Sequence, residues 1–204
     1  MTMLPANFFA RATVEVARDL LGAVLRVRRS GGLWTAGRIV ETEAYEAEGD
    51  PASHAGRGRT PRSEIMYGQP GVAYVYLIYG VHHCLNLVTE VEGTAGAVLL
   101  RAVEAVEGQT AMARRRGLDA ARYRRQDLCS GPGKLCQAFG VDIRWNGLPV
   151  AVDRQPKSLP GVGLITVQAP DAPVAWKSTP RIGISRAAKR CHRFIDPNSD
   201  CLSR

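Results

Sequence analysis

The sequence predicts an α+β fold in which a mixed, mostly antiparallel β-sheet carries peripheral helices. Several short segments are rich in β-branched and aromatic residues and are bounded by Gly and Pro, which is the pattern of strands. Amphipathic segments that end at Gly lie between them, which is the pattern of short helices. A length of 204 residues with 45% hydrophobic residues suits one domain, covering residues 1–204, with a substantial core.

Each predicted element has local signals at its ends. Strands are expected at 23–28, 33–45, 97–105, 150–152, 164–167 and 182–184. Helices are expected at 13–21, 60–68, 110–116 and 130–139, with Thr60 and Ser130 as candidate caps and Gly22, Gly68, Gly117 and Gly140 at the ends. Residues 74–88 predict a β-hairpin with its turn near Tyr79 and Gly80, because Gly allows the positive φ of tight turns. Residues 46–59 predict a loop, and the arginine-rich segment 118–126 is expected to be mobile.

Charge and composition limit the class of protein. The net charge is +8, and residues 101–204 hold 18 basic and 9 acidic side chains, so the excess lies in the second half. Such a surface fits a polyanionic partner, because neutralised phosphates release counterions; a general solubility charge is the alternative. No export signal or membrane span is recognisable, and the five cysteines form no CxxC pair. We therefore expect a cytoplasmic protein with reduced cysteines and no membrane contact.

The most informative stretch runs from residue 38 to residue 89. Strand side chains alternate between faces. One face of the strand at 33–45 is therefore expected to carry Ile39, Glu41, Glu43 and Tyr45. Two carboxylates on an apolar, aromatic face are unusual. Together with several tyrosines and an aromatic residue near a hairpin tip, they predict a pocket for a flat ring.

Seven short blocks follow one another along the chain. They are RIVETEAY at 38–45, His54, TPR at 60–62, YVYLIYG at 74–80, Asn86, LLRA at 99–102 and LCSGPGKLCQAF at 128–139. In this order and spacing, from about residue 5 to residue 195, the chain resembles the alkyladenine DNA glycosylase (3-methyladenine DNA glycosylase) family. The resemblance implies a single-domain fold with a hairpin that enters DNA. One departure, CHRF at 191–194 in place of the usual PWRF, concerns local packing.

The resemblance assigns catalytic roles to two residues. It implies that Glu43 is the general base that directs water at C1′, a role worth roughly 10²–10⁴-fold in rate. It implies that Arg101 helps to hold this water. The alternatives are a strand carboxylate paired with an arginine, and a core ion pair that only orders the site. Glu41 is expected to be structural or to position water.

Further residues are implied to bind the damaged base and the DNA. Tyr45, His54 and Tyr76 are expected to form the pocket walls, where aromatic faces stack on a purine and attract a cationic one; core packing is the alternative for each tyrosine. Asn86 is expected to clash with the exocyclic amino group of guanine, or else to bond the hairpin backbone. Tyr79 is expected to intercalate into DNA, where its ring fills the gap that a flipped base leaves.

A glycine-rich helix start at 130–134 suits a phosphate, because free N–H groups point out of a helix N-terminus. The expected phosphate contacts are Ser130, Gly131, Lys134 and Arg114, with ordinary helix capping as the alternative. Adjacent strand residues point to opposite faces, so His82, His83 and Cys84 do not have the geometry of one metal site. We expect neither a metal nor an organic cofactor.

The function expected from the resemblance is hydrolysis of the N-glycosidic bond of flipped-out alkylated or deaminated purines in double-stranded DNA. A monomer would release 3-methyladenine, 7-methylguanine, hypoxanthine or ethenoadenine and leave an abasic site for base excision repair. Nothing indicates a covalent nucleophile, so the enzyme is expected to be monofunctional. A non-catalytic nucleic-acid-binding protein on the same fold is the main alternative. The carboxylate of Glu43 argues against it, because a carboxylate near the phosphates would not strengthen binding. A hydrolase of small nucleosides is a third.

Overall fold

A computed structural model describes residues 2–119, 121–150, 153 and 160–203. In these ranges the strands are β1 (Val24–Arg29), β2 (Trp34–Glu46), β3 (Ala73–Ile78), β4 (His82–Thr89), β5 (Gly96–Glu107), β6 (Gly163–Gln168), β7 (Lys177–Thr179) and β8 (Arg193–Ile195). The α-helices are α1 (Ala6–Phe9), α2 (Thr13–Asp19), α3 (Gln109–Arg115), α4 (Arg125–Cys129) and α5 (Pro132–Phe139). Short 3-10 helices occur at His54–Arg57, Glu64–Tyr67 and Ile143–Trp145.

The strands form one sheet whose main order is β3-β4-β5-β2-β1-β6, with β8 pairing with both β2 and β7. Every strand pairing in the described ranges is antiparallel, which confirms the α+β prediction. The long strands β2 and β5 are neighbours in this order. On the edge of β2 that faces away from β5, residues 34–38 pair with β1 and residues 41–43 pair with β8. The middle of β2 is therefore enclosed on both sides.

The main core joins the sheet to the α-helices. Its fully buried side chains include Phe9 of α1, Leu20 after α2, Leu100 of β5 and Phe139 of α5. Burying each such side chain contributes roughly 1.5–3 kcal/mol, so helices and sheet are held in fixed relative positions. A second cluster contains Ala55, Met66, Tyr74, Val88, Ala95 and Ala97, and Tyr76 packs against it. This second cluster therefore holds the aromatic side chains of Tyr74 and Tyr76 in place.

The pairing between β2 and β5 changes register near Glu41. The partners are Ile39 with Val103, Glu41 with Ala102, and Thr42 with Leu100. Val40 and Arg101 are therefore extra residues in two adjacent bulges, a feature that redirects side chains. Strict alternation fails here: Ile39 packs in the main core with Ala44, which alternates with Glu43. The prediction that Ile39 shares the face of the two carboxylates is therefore wrong.

Most of the other predicted elements are confirmed. The expected strands at 23–28, 33–45, 97–105 and 164–167 correspond to β1, β2, β5 and β6, and the expected helices at 13–21, 110–116 and 130–139 correspond to α2, α3 and α5. Residues 74–88 form the β3–β4 hairpin. Its turn contains Tyr79 and Gly80 with φ of 53° and 72°, as the glycine signal predicted.

Some local predictions are wrong. Residues 60–68 form a turn at 61–63 followed by the 3-10 helix Glu64–Tyr67, and not one α-helix. Thr60 does cap this turn, because its Oγ1 accepts a hydrogen bond from the Ser63 N–H at 3.2 Å. Residues 182–184 form a bend instead of a strand. The arginine-rich segment ends in α4, which was not predicted. The strand expected at 150–152 extends to residues 151 and 152, which lie outside the described residues.

Candidate active site

A cavity of about 330 Å³ lies beside the second half of β2. This volume falls in the range of small-molecule pockets, so one nucleobase can fit. Residues 132–133 at the start of α5 and residues 182–184 form parts of its wall. Its aromatic and polar lining side chains include Tyr45, His54, Tyr74, Tyr76, Asn86 and Arg101.

Glu43 of β2 is fully buried directly behind the cavity wall. Its Oε2 accepts hydrogen bonds from the Tyr45 hydroxyl at 2.8 Å and from Arg101 Nη1 at 3.1 Å, and both donors line the cavity. Its Oε1 accepts a hydrogen bond from the Ile182 N–H at 2.7 Å. The carboxylate is thus held in one orientation. The structure brings Glu43, Tyr45 and Arg101 together, and their catalytic and base-binding roles stay predictions.

Tyr45 donates to Glu43 as a neutral phenol. Burial, together with the charge of Glu43, raises the pKa of Tyr45 far above its usual value of 10.0. The proton of the hydroxyl therefore stays on Tyr45 at neutral pH. The Arg181 guanidinium lies 4.6 Å from the centroid of the Tyr45 ring and is not part of the cavity wall.

Arg101 connects Glu43 to Glu41. Its Nε donates to Glu41 Oε1 at 3.0 Å. Burial acts to lower the pKa of Arg101, but the charges of Glu43 and Glu41 outweigh it and raise the pKa, so the guanidinium stays charged. The ion pair that was the alternative for Arg101 therefore exists. Arg101 also lines the cavity, so the alternative and the predicted role are compatible.

Glu41 is fully buried and faces protein partners only. Besides Arg101 it accepts hydrogen bonds from Arg193 Nε at 2.6 Å, the Ser203 N–H at 2.6 Å and the Ser203 hydroxyl at 2.8 Å. Like Glu43, it does not itself line the cavity, but of its described side-chain partners only Arg101 does. This geometry suits the structural role expected for Glu41 better than the positioning of water.

An aromatic wall forms another side of the cavity. The His54 ring lies edge-on to Tyr76 with centroids 4.7 Å apart, and the Tyr74 and Tyr76 centroids are 5.3 Å apart. His54 Nδ1 and the Tyr74 hydroxyl form a hydrogen bond of 2.8 Å. Burial, with a contribution from the Arg62 charge, lowers the pKa of His54 to about 4. The imidazole is therefore neutral at neutral pH and does not repel a cationic base.

Asn86 is buried in β4 and lines the same cavity. It pairs with Tyr74 across the hairpin, and its Nδ2 donates to the Tyr74 carbonyl at 3.1 Å. The backbone-bonding alternative is therefore observed. Because this bond fixes the amide at the cavity, it also suits the expected contact with a base.

Tyr79 lies at the tip of the β3–β4 hairpin and at the edge of the cavity. Its side chain is 81% exposed, and Val81 on the same tip is 70% exposed. An aromatic residue this exposed is costly in water unless it meets a partner. The position suits the predicted contact with DNA, and intercalation remains a prediction.

The residues expected to bind phosphate fit that role unequally. The Ser130 hydroxyl donates to the Gln126 carbonyl and makes no cap bond to α5, so ordinary capping by Ser130 is wrong. The Gly131 N–H donates to the Cys129 carbonyl at 3.1 Å and is not available to a ligand. Lys134 and Arg114 are exposed and keep their predicted role.

Among the described residues, Glu104, Asp200 and Cys201 come close enough to hold a metal ion. They are not part of the cavity wall, and Glu104 already accepts hydrogen bonds from Arg38 at 2.8 and 3.1 Å. Burial raises the pKa of the Cys201 thiol to about 12, so it stays protonated. Ordinary packing explains this cluster.

A cavity lined by aromatic side chains beside a fixed carboxylate suits an enzyme that holds a base and cuts its bond to the sugar. Such an arrangement fits the class of the glycosylases. The chain belongs to the Methylpurine-DNA glycosylase (MPG) family, whose sequence pattern matches residues 7–200. It is accordingly a DNA glycosylase, and DNA is its substrate.

Several relatives support this membership, each bearing the name "Putative 3-methyladenine DNA glycosylase". The protein of Methanocella arvoryzae is 46% identical over 209 residues, covering 100% of this chain and 97% of the relative. That of Rhodopseudomonas palustris strain BisB18 is 49% identical over 191 residues, covering 94% and 86%. That of Salinibacter ruber is 46% identical over 216 residues, covering 98% of both.

Sequence reasoning missed several residues that shape the site. Tyr74 had a usable signal, because it lies two positions before Tyr76 and so shares its face of β3. Asp50, Arg181 and Ser203 gave no comparable signal, since their partners lie far away in the chain.

No helix in the described ranges has both the length and the apolar character needed to cross a membrane.

Proposed function

We propose that this protein hydrolyses the N-glycosidic bond of alkylated or deaminated purines in double-stranded DNA and leaves an abasic site. The observation that carries the proposal is the fixed position of Glu43 behind an aromatic cavity. The substrates proposed are 3-methyladenine, 7-methylguanine, hypoxanthine and ethenoadenine. The protein acts as a monomer, with residues 1–204 as one domain, on DNA in the cytoplasm.

In the proposed mechanism the damaged nucleotide leaves the duplex and its base enters the cavity. Glu43 takes a proton from a water molecule as the water oxygen attacks C1′. The C1′–N bond breaks, and the base leaves with the bonding electrons. Arg101 and the Tyr45 hydroxyl keep Oε2 of Glu43 oriented, because both donate to it. No enzyme–DNA bond forms, so the reaction ends at the abasic site without strand cleavage.

Selectivity follows from charge and from polar groups. A cationic alkylpurine is attracted to the faces of Tyr45 and Tyr76, and the neutral state of His54 avoids repulsion. Such a base also leaves as a neutral molecule, which lowers the barrier to bond cleavage. Asn86, held by the Tyr74 carbonyl, disfavours unmodified guanine because the exocyclic amino group of that base would meet its fixed amide. 7-Methylguanine carries the same amino group, so the attraction of its positive charge to the aromatic faces has to outweigh this contact.

The decisive test is the substitution Glu43→Gln, which keeps the shape of the side chain and removes its basicity. We expect single-turnover release of hypoxanthine from a duplex to fall by roughly 10²–10⁴-fold. Binding of the same duplex should change little, because Glu43 is fully buried. The matched control is Glu46→Gln, which alters a half-buried carboxylate on the same strand and should leave the rate unchanged.

Two other results would each favour a different function. Tight duplex binding by the wild type without release of any of the four bases would favour a non-catalytic nucleic-acid-binding protein. Equal activity on free nucleosides, with no effect of Tyr79→Ala, would favour a hydrolase of small nucleosides.

A further inference from the structure

An ion pair with no exposed side-chain surface joins two walls of the cavity. Arg181 Nη1 and Nη2 donate to the two carboxylate oxygens of Asp50 at 2.6 and 2.7 Å. Burial acts to raise the pKa of Asp50, but the hydrogen bonds and charge of Arg181 outweigh it and lower the pKa. The pair therefore stays ionised at neutral pH, and its two-pronged geometry fixes both side chains.

Arg181 and the next residue, Ile182, are together in contact with β2 at three points. Arg181 Nη1 also donates to the Ala44 carbonyl at 2.9 Å, between Glu43 and Tyr45. Its guanidinium lies 4.6 Å from the Tyr45 ring centroid. The next residue in the chain, Ile182, donates its N–H to Glu43 Oε1. Fixing Arg181 thus fixes the donor that holds the second oxygen of Glu43.

Asp50 orders another part of the cavity wall. Its carboxylate accepts hydrogen bonds from the N–H groups of Glu46 and Ala52, both at 3.3 Å. Its carbonyl accepts one from the Ser53 N–H at 3.0 Å. Ala52 and His54, which lie in the same loop, line the cavity. The ion pair therefore connects the loop that carries His54 to the segment that carries Ile182.

Stability alone is a poor reason for such a pair, because desolvation of two charges offsets much of their attraction. Precise placement is a better reason, since a reacting group that is displaced by about 1 Å can lose roughly 10²-fold in rate. We propose that Asp50 and Arg181 are positioning residues that hold Glu43 and Tyr45 in their reactive arrangement through Ile182 and Ala44. This inference rests on the function proposed above.

The test compares catalysis with binding in Asp50→Asn, which keeps the shape of the side chain and removes its charge. We expect single-turnover release of hypoxanthine from a duplex to fall by roughly 10- to 100-fold. The dissociation constant of the lesion duplex, measured in the Glu43→Gln background so that the base stays attached, should change little. Arg181→Lys keeps the charge and loses the planar fork, so its rate should also fall.

The matched control is Asp196→Asn. Asp196 is a buried carboxylate paired with Arg38 at 2.7 Å, and it neither lines the cavity nor contacts Glu43. This control should lower the melting temperature and leave the rate unchanged.

Three outcomes would overturn the inference. They are a wild-type rate in Asp50→Asn and Arg181→Lys, an equal loss of rate in Asp196→Asn, and unfolding of both site variants at the assay temperature while the control stays folded. Absence of base release by the wild-type protein would instead overturn the proposed function.

Discussion

Glu41 and Glu43 lie two positions apart on β2, and their partners give them different roles. Glu43 accepts hydrogen bonds from two side chains that line the cavity. Glu41 is engaged by Arg101, Arg193 and Ser203, and so links β5, β8 and the last described residue. A carboxylate with this many partners is well placed to order Arg101 and poorly placed to exchange a proton with water.

His54 should make the stability of the protein depend on pH. Its pKa falls from the usual 6.5 to about 4 in the folded protein, so between these values the unfolded chain binds a proton that the folded protein does not. Stability is therefore lost as the pH falls from 6.5 toward 4. We expect urea unfolding curves at several pH values in this window to show a weaker pH dependence for His54→Gln than for the wild type. Equal pH dependence in the two proteins would contradict the assignment.

At the scale of elements, the β3–β4 hairpin presents Tyr79 at the edge of the cavity. We expect Tyr79→Ala to slow base release from duplex DNA by roughly 10-fold or more, because the gap left by a flipped base costs a few kcal/mol when nothing fills it. Release from single-stranded DNA should change less. The melting temperature should stay constant, since the side chain is 81% exposed.

Val81→Ala is the control for this prediction. Val81 is also exposed at the tip, but it is not among the residues that line the cavity. Its substitution should leave duplex cleavage nearly unchanged. Equal losses in the two variants would show that the tip contributes general apolar contact and that Tyr79 has no special role.

The paired bulges in β2 and β5 are the second element that matters. They make Arg101 an extra residue in β5, next to the point where Glu41 pairs with Ala102. The guanidinium then reaches both carboxylates, at 3.0 and 3.1 Å. Without the bulges, regular alternation would place Ile39 on the same face as Glu41 and Glu43. In the structure Ile39 packs in the main core instead.

At the scale of the whole molecule, the net charge of +8 should make DNA binding sensitive to salt. Lys134 is exposed next to Gly133, which lines the cavity, so it is placed to reach a phosphate near the flipped base. We expect Lys134→Ala to weaken binding of damaged and undamaged duplexes alike. It should also reduce the slope of log K against log salt by about 0.9.

Arg26→Ala serves as the control for the salt experiment. Arg26 lies on β1, three strands away from β4 in the sheet order, and is paired with Glu107. Its loss should leave the slope unchanged. The same slope change in both variants would mean that the effect follows net charge and not a particular phosphate contact.

Local patterns in the chain predicted most of the fold, and the resemblance to a family predicted the residues around the cavity. Strand segments and glycine turns depend on neighbours within a few positions, and the order of the seven motif blocks carries the resemblance, so both are visible in the sequence alone. On this basis Glu43, Tyr45, His54, Tyr76, Asn86 and Arg101 were placed in one site. Some errors were local, such as the helix expected at 60–68 and Ser130 as a cap, whereas the error at Ile39 came from the bulges where β2 pairs with β5.

Packing between distant segments determined the rest. Ser203 reaches Glu41 across 162 positions, and Arg181 reaches Asp50 across 131. The bulges that aim Arg101 depend on how β2 meets β5, a strand about sixty positions further on. Such contacts leave no periodic or compositional trace, because their geometry exists only once the whole sheet has formed. The residue types in the sequence therefore indicated the chemistry of the site, whereas only the tertiary structure determined the orientation of Glu43.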